Sequence, residues 1–195
     1  MASITDFLYN IKDVARPKLF DVGIILPVGF STYLQKNDSV LDNLKLNFKC
    51  ESTNIPGRTF ATTEQKFGSN PAEKHAYHTT YNDVDMTFII TEDSRLIPNM
   101  KRNLPSFEEF GLKEKRLFDE WMNWINPVDS YDFRYKKDYV SDIKINQISN
   151  SGQRVFTCEL LDAFPISVNQ LDLDWSNDGY HKLNVTFAFT RWRTR

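Results

Sequence analysis

Few residues of this chain are typed and spaced for chemistry. His75-x-x-His78 is the one cluster that resembles a metal pair. Spacing of three puts both rings on one side of a helix but on opposite faces of a strand. Residues 72–81 carry no helical pattern, and no third ligand stands at a zinc-like offset. The pair is therefore read as surface or interface histidines. Asp83 and Asp85, and likewise Asp172 and Asp174, are carboxylates at spacing two. On a strand each pair shares one face, which can raise one carboxyl pKa for acid–base work. Apolar residues alternate with both pairs, so a solvated polar face is the plainer reading. Arg191, Arg193 and Arg195 could contact phosphates; three arginines at a strand end are read instead as solubilising, or as salt-bridged to a neighbouring subunit. Trp121 and Trp124 share helical spacing with Leu117, which marks core packing rather than a ligand box. No nucleophile-elbow or phosphate-cradling glycine pattern is present. No enzyme, metal or cofactor is expected.

Composition agrees. The chain has 195 residues, 41% of them hydrophobic, enough for one domain with a sizeable core. Fifteen Phe, eight Tyr and four Trp stand against only seven Gly, which favours strands and broad contact surfaces over a glycine-loop nucleotide site. The formal net charge of −2 gives no sign of a nucleic-acid binder. No apolar run approaches the roughly 20 residues needed to span a bilayer. The opening Met1-Ala2-Ser3-Ile4-Thr5-Asp6 lacks a basic stretch followed by an apolar one, so no export signal is expected. Cys50 and Cys158 are then expected to be reduced and buried on strands.

The elements that must position these residues follow from periodicity. Ile4, Phe7, Leu8 and Ile11 predict an N-terminal helix ended by Arg16-Pro17. Residues 19–26 and 44–50 alternate as strands, separated by a polar surface loop over 27–43. Pro56-Gly57 suits a type II turn. Residues 53–76 are polar and without a core stripe, so they read as a long arm or irregular hairpin. Val84, Met86, Phe88 and Ile90 predict a strand. Residues 92–111 form a second long connection, with Ser106-x-x-Glu109 a possible capping box. Lys113–Ile125 is the main helix, with Leu117, Trp121, Trp124 and Ile125 as its apolar stripe and Glu114 on its charged face. Residues 139–148 and 154–161 are strands around a Ser149-to-Gly152 turn. The C-terminal third reads as a Phe164-Pro165 break, an alternating strand through Leu171, Leu173 and Trp175, an Asn177-Asp178-Gly179 turn, and a strand through Leu183, Val185, Phe187 and Phe189. The sum is a single domain, mainly β with one main α-helix, built as an antiparallel β-sandwich or small barrel.

Several separated motifs carry a resemblance. In order they are Ala15-Arg16-Pro17-x-Leu19-Phe20-x-Val22, Phe48-x-Cys50-x-x-Thr53-x-Ile55-Pro56, Phe118-x-x-Trp121, and Leu161-x-Ala163-Phe164-Pro165 followed by Leu171-x-Leu173-x-Trp175-x-Asn177 and a Phe-rich strand ending Arg191-Trp192. Their order resembles the tail tube proteins of contractile-tailed bacteriophages, a fold similar to the type VI secretion tube protein. The resemblance implies subunits that assemble as hexameric rings and stack into a hollow inner tube within a sheath. DNA passes through that tube without specific binding. Implied partners are other copies of the chain and the tail sheath, tape measure, baseplate and tail terminator proteins, with no membrane role; the implied place is the virion tail, assembled in the host cytoplasm. A baseplate tube initiator and a small β-sandwich ligand-binding module are the alternatives.

Two sets of residues follow as candidates. The arm supplies inter-subunit candidates: Thr53, Ile55, Pro56, Gly57, Arg58, Thr62, Glu64 and Lys66. Asp83, Asp85, Asp172 and Asp174 are lumen candidates, because a conduit for DNA should repel phosphate. From Val155 to His181 there are five acidic residues and no Lys or Arg.

Overall fold

The computed structural model describes residues 17–37, 46, 49–91, 112–176 and 178–195. In chain order the elements are β1 (Phe20–Ile24), α1 (Val28–Asn37), β2 (Cys50–Thr53), β3 (Thr59–Gln65), β4 (Glu73–Thr80), β5 (Val84–Ile89), α2 (Lys113–Ile125), α3 (Lys136–Tyr139), β6 (Ser141–Ile148), β7 (Arg154–Val168), β8 (Lys182–Ala188) and β9 (Arg191–Thr194).

The 15-residue strand β7 joins the two layers of the sandwich. Its first part pairs antiparallel with β6 on one edge and with β9 on the other, and β6 pairs with β1. Its last part, from Phe164, pairs with β8, which pairs with β5 and then β2. The bend lies at Asp162, whose φ of 55° falls in the left-handed region. Register shifts there, between Ser141 and Ile143 of the partner strand, mark a bulge. A bulge with one left-handed residue is how a strand leaves one sheet and enters another.

Alternation then places Val22, Ile143, Ile145, Cys158 and Leu160 from one layer against Val84, Met86, Phe88, Leu183, Val185 and Phe187 from the other. Helix α2 closes the core with Leu117, Phe118, Trp121 and Ile125. Phe118 lies 5.1 Å from Phe88 and 6.0 Å from Phe187, and Trp121 lies 6.3 Å from Phe187 and 6.1 Å from Phe30 of α1, centroid to centroid. The Trp121 indole Nε1 donates to the Tyr139 carbonyl at 3.0 Å.

The structure corrects the expected fold. Among the described residues there are three helices rather than one, and no sheet closes into a barrel. The path runs β1-β6-β7-β8-β5-β2 with unpaired ends, a sandwich-like topology only. Part of the 27–43 loop is helix α1: Phe30 and Leu34, four apart, are both buried, and Phe30 packs on Trp121 and Trp124. Tertiary packing there overrides a local composition rich in Gly, Ser and Thr. The Phe164-Pro165 break does not occur, because β7 passes through it with Pro165 opposite Phe187. Residues 171–176 form no strand and have no ladder partner. Gly57 does not adopt a positive φ, so Pro56-Gly57 makes no type II turn and residues 54–58 run as an irregular connection. Glu114 is fully buried rather than on a solvated face, ion-paired to Lys49 and accepting from Thr91 Oγ1 at 2.9 Å. The N-terminal helix, most of the 44–50 strand, Asn177 and the 92–111 connection with its capping box lie outside the described residues.

Candidate functional site

Strands β3 and β4 form a two-stranded antiparallel sheet of their own. Gly68 at its tip has φ 63°, which a turn at that point needs and a Cβ would strain. Thr62 pairs with Ala76, Thr63 with His75 and Glu64 with Lys74, the last as an ion pair at 3.5 Å. A register shift between Ala61 and Thr62 leaves Tyr77 as the extra residue. Nearly every residue of both strands is exposed, including Phe60 and Tyr77, and so is Phe67 in the connection between them. An isolated hairpin is marginal in water, since neither face is buried and both edges offer free N–H and C=O groups. Such an element gains most from docking on something else.

The arm candidates divide at the root of this hairpin. Thr53 ends β2 opposite Met86, and Pro56 is buried, so these two anchor the arm. Ile55, Gly57, Arg58, Thr62, Glu64 and Lys66 are exposed. A Cβ on Gly57 would meet open space. The Arg58 guanidinium sits 5.6 Å over the Tyr81 ring and 5.4 Å over the Trp192 ring, and Tyr81 packs 5.8 Å from Phe189. This aromatic clamp ties the root of the hairpin to the C-terminal strands; the sequence reading gave Arg58 no such partner.

The acidic pairs do not share one environment. Asp83 and Asp85 are both exposed, Asp85 on the outer side of β5. Thr186 Oγ1 donates to Asp85 Oδ1 at 2.6 Å, and the Asp85 N–H donates to Asn54 Oδ1 at 3.0 Å. Asp172 and Asp174 lie in the loop joining β7 to β8, not on a strand face. Asp174 accepts from the Ser176 N–H at 3.0 Å and its hydroxyl at 2.9 Å, bonds that hold its carboxyl below the usual range. Leu173 and Trp175, expected on a core face, are fully exposed in the same loop.

Two other clusters are satisfied within the chain. Glu159, its side chain 4% exposed, takes Arg193 at 2.6 Å, Arg195 at 3.1 Å and Lys144 at 3.5 Å. The hydrogen bond from Arg193, followed by the charges of Arg193, Arg195 and Lys144, lowers its pKa. Two arginines of the basic tail, Arg193 and Arg195, are thus paired within the chain, and the acidic stretch 155–181 has its first carboxylate neutralised. Burial pushes the Cys50 thiol up to about 12 and Cys158 to about 11, so neither is a nucleophile at neutral pH. Among the described residues no three His, Cys, Asp or Glu converge as a metal site, and no helix is long and apolar enough to cross a membrane.

Geometry of this kind, a packed sandwich with a polar hairpin projecting from it, points to assembly. The phage tail tube protein family matches residues 15–195. The chain belongs to the phage tail tube family. Tail tube proteins are structural and non-catalytic, so this chain is a structural protein of that family rather than an enzyme. Solved structures share its fold at low identity. A chain from the anti-feeding prophage baseplate, 6-fold symmetrised, superposes with a TM-score of 0.60 at 11% identity, over 95% of this chain and 97% of that one. A chain of the PVC sheath-tube complex, from an extracellular contractile injection system in the extended state, gives 0.57 at 13% over 100% and 99%. The anti-feeding prophage tube terminating cap gives 0.58 at 13% over 95% and 93%. Chains of the anti-feeding prophage and of an extracellular contractile injection system therefore share the fold of this chain. No curated protein matches it.

Proposed function

We propose that this tail tube protein forms hexameric rings that stack into the inner tube of a contractile tail, through which DNA passes. The observation that carries this reading is the β3–β4 hairpin. It is exposed on both faces, rooted by Pro56 and the Arg58 clamp, in a chain whose family match spans residues 15–195. A hairpin with no burial of its own suits contact with the next ring, where Ile55, Arg58, Thr62, Glu64 and Lys66 would meet a neighbour. Asp83 and Asp85, on or beside an outer strand face, and Asp172 and Asp174, in the β7–β8 loop, are the candidates for a wall that repels phosphate. The sheath outside, the tape measure within, and the baseplate and terminator at the two ends are the partners this role requires. The experiment is deletion of residues 62–69, with negative-stain imaging of concentrated protein. The parent should form tubes. The deletion should fold with the parent's far-UV circular dichroism and stop at rings or short stacks. Full-length tubes from the deletion would remove the hairpin from stacking.

A further inference from the structure

We propose that Arg58 is a positioning residue: its guanidinium latches the β3–β4 hairpin to the sandwich across a hinge at Gly57, so that the hairpin is presented in one pose for assembly. The role in assembly rests on the reading above; the latch itself does not. The hairpin hangs from two legs. One leaves β2 at Thr53 and runs through residues 54–58, and the other returns through residues 81–83 into β5, neither with a ladder partner. Among the described residues, the hydrogen bonds and ion pairs of 59–80 run within the hairpin and not to the sandwich. An arm joined only by two short irregular legs swings as a body when a few backbone torsions change, which is how a hinge works.

Gly57 is the place for that swing. Pro56 before it is buried, and its ring fixes its own φ. Gly57 has no positive φ, and a Cβ there would meet open space, so neither a tight turn nor close packing calls for glycine. What glycine supplies at such a position is backbone freedom.

Arg58 is the next residue, on the hairpin side of the hinge. From the first leg its guanidinium reaches Tyr81 on the second leg at 5.6 Å and Trp192 on β9 at 5.4 Å. Both lie inside the roughly 6 Å at which an aromatic ring attracts a cation. Each ring is anchored in turn: Tyr81 packs on Phe189 at 5.8 Å, and Trp192 stands opposite Leu160 in the ladder of β9 with β7. One side chain therefore ties the two legs to each other and both to the C-terminal strands. Arginine suits the task, because a planar and weakly hydrated guanidinium stacks on rings where an ammonium acts as a point charge. Two contacts of this kind at a surface favour the latched pose by about 5- to 30-fold. A hairpin held in one pose loses less freedom on docking than one that swings. This role is separate from any contact that the exposed side of Arg58 makes with a neighbour.

The test places spin labels at Ser69→Cys, by the hairpin tip, and at Val155→Cys, exposed on β7, and measures their separation by pulsed electron spin resonance below the assembly concentration. Parent chain treated with the same label is the baseline for Cys50 and Cys158. With Arg58 present the distance should be single and narrow. Arg58→Ala should broaden it, with the ratio of latched to swung-out hairpin falling about 5- to 30-fold, and Arg58→Lys should lie between. Subunit melting should stay unchanged, while the concentration needed for assembly rises by the factor by which the latched fraction falls. A broad distribution with Arg58 present, or one that Arg58→Ala leaves unaltered, would overturn the latch. So would a large fall in melting temperature, which would make Arg58 a residue that stabilises the sandwich itself. Arg58→Ala that frees the hairpin yet assembles like the parent would overturn the positioning role. Weaker assembly with the hairpin still held would overturn it too, by making Arg58 a contact residue; both results leave the tube reading standing. Parent chain that stays monomeric at every concentration would overturn the tube reading and the assembly role together, with the latch still decided by the distances.

Discussion

Replacing Trp121 by alanine is the sharpest test of the packing that positions everything else. The ring is 0% exposed and sits between Phe30 of α1 and Phe187 of β8. Its removal opens a cavity that three separate elements line, and a Trp→Ala change in a core costs about 3–5 kcal/mol. The indole N–H to the Tyr139 carbonyl is lost as well, adding about 1 kcal/mol. The sum, about 4–6 kcal/mol, is a third or more of the stability of most domains. In a chain of this size it lowers the melting temperature by roughly 8–24 °C, at about 2–4 °C per kcal/mol. Urea unfolding followed by circular dichroism reads it directly, and Trp121→Phe isolates the hydrogen bond from the cavity. Trp175→Ala serves as the internal contrast, since an exposed ring should change subunit stability by about 0.5 kcal/mol at most. A Trp121→Ala protein within about 1 kcal/mol of the parent would refute the argument that α2 is clamped between α1 and the β8 layer.

Further outcomes follow from the charged groups. Lys49→Ala should cost about 3–5 kcal/mol in urea unfolding, because it strands the fully buried Glu114, and Lys49→Met with Glu114→Leu should recover most of the loss; a single variant at parental stability would show the pair contributes nothing. Glu159, held below the ordinary glutamate value of 4.5 by Arg193 first, has its pKa depressed on folding, so its stabilisation is present above 4.5 and lost as pH falls through the folded-state value. Thermal melts stepped below pH 4.5 should therefore fall less steeply for Glu159→Gln than for the parent, and parallel acid limbs would remove this carboxyl from the acid transition. Assembled parent protein should bind DNA weakly at low salt, and the Asp172→Lys, Asp174→Lys variant should gain affinity only when assembled; tight, salt-sensitive binding by the parent would contradict a repulsive conduit.

Alternation and helical spacing in the sequence determined the core strands β1, β5, β6 and β8 and the apolar stripe of α2, because burial of one face leaves a period that any single segment displays. The polar, stripe-free composition of residues 59–76 likewise announced a segment with no core face, and the ordered motifs announced the family. Tertiary structure alone decided the rest. Helix α1 forms because Phe30 meets Trp121 and Trp124, partners some 90 residues away that local propensity cannot see. Glu114 looks solvated on a charged helix turn until Lys49 and Thr91 reach it from other elements. Leu173 and Trp175 carry a faultless strand pattern, yet a strand needs a ladder partner as well as a period. In this fold β8 takes up the last part of β7 while β9 continues along the same edge, and the loop between β7 and β8 is left outside, its tryptophan exposed.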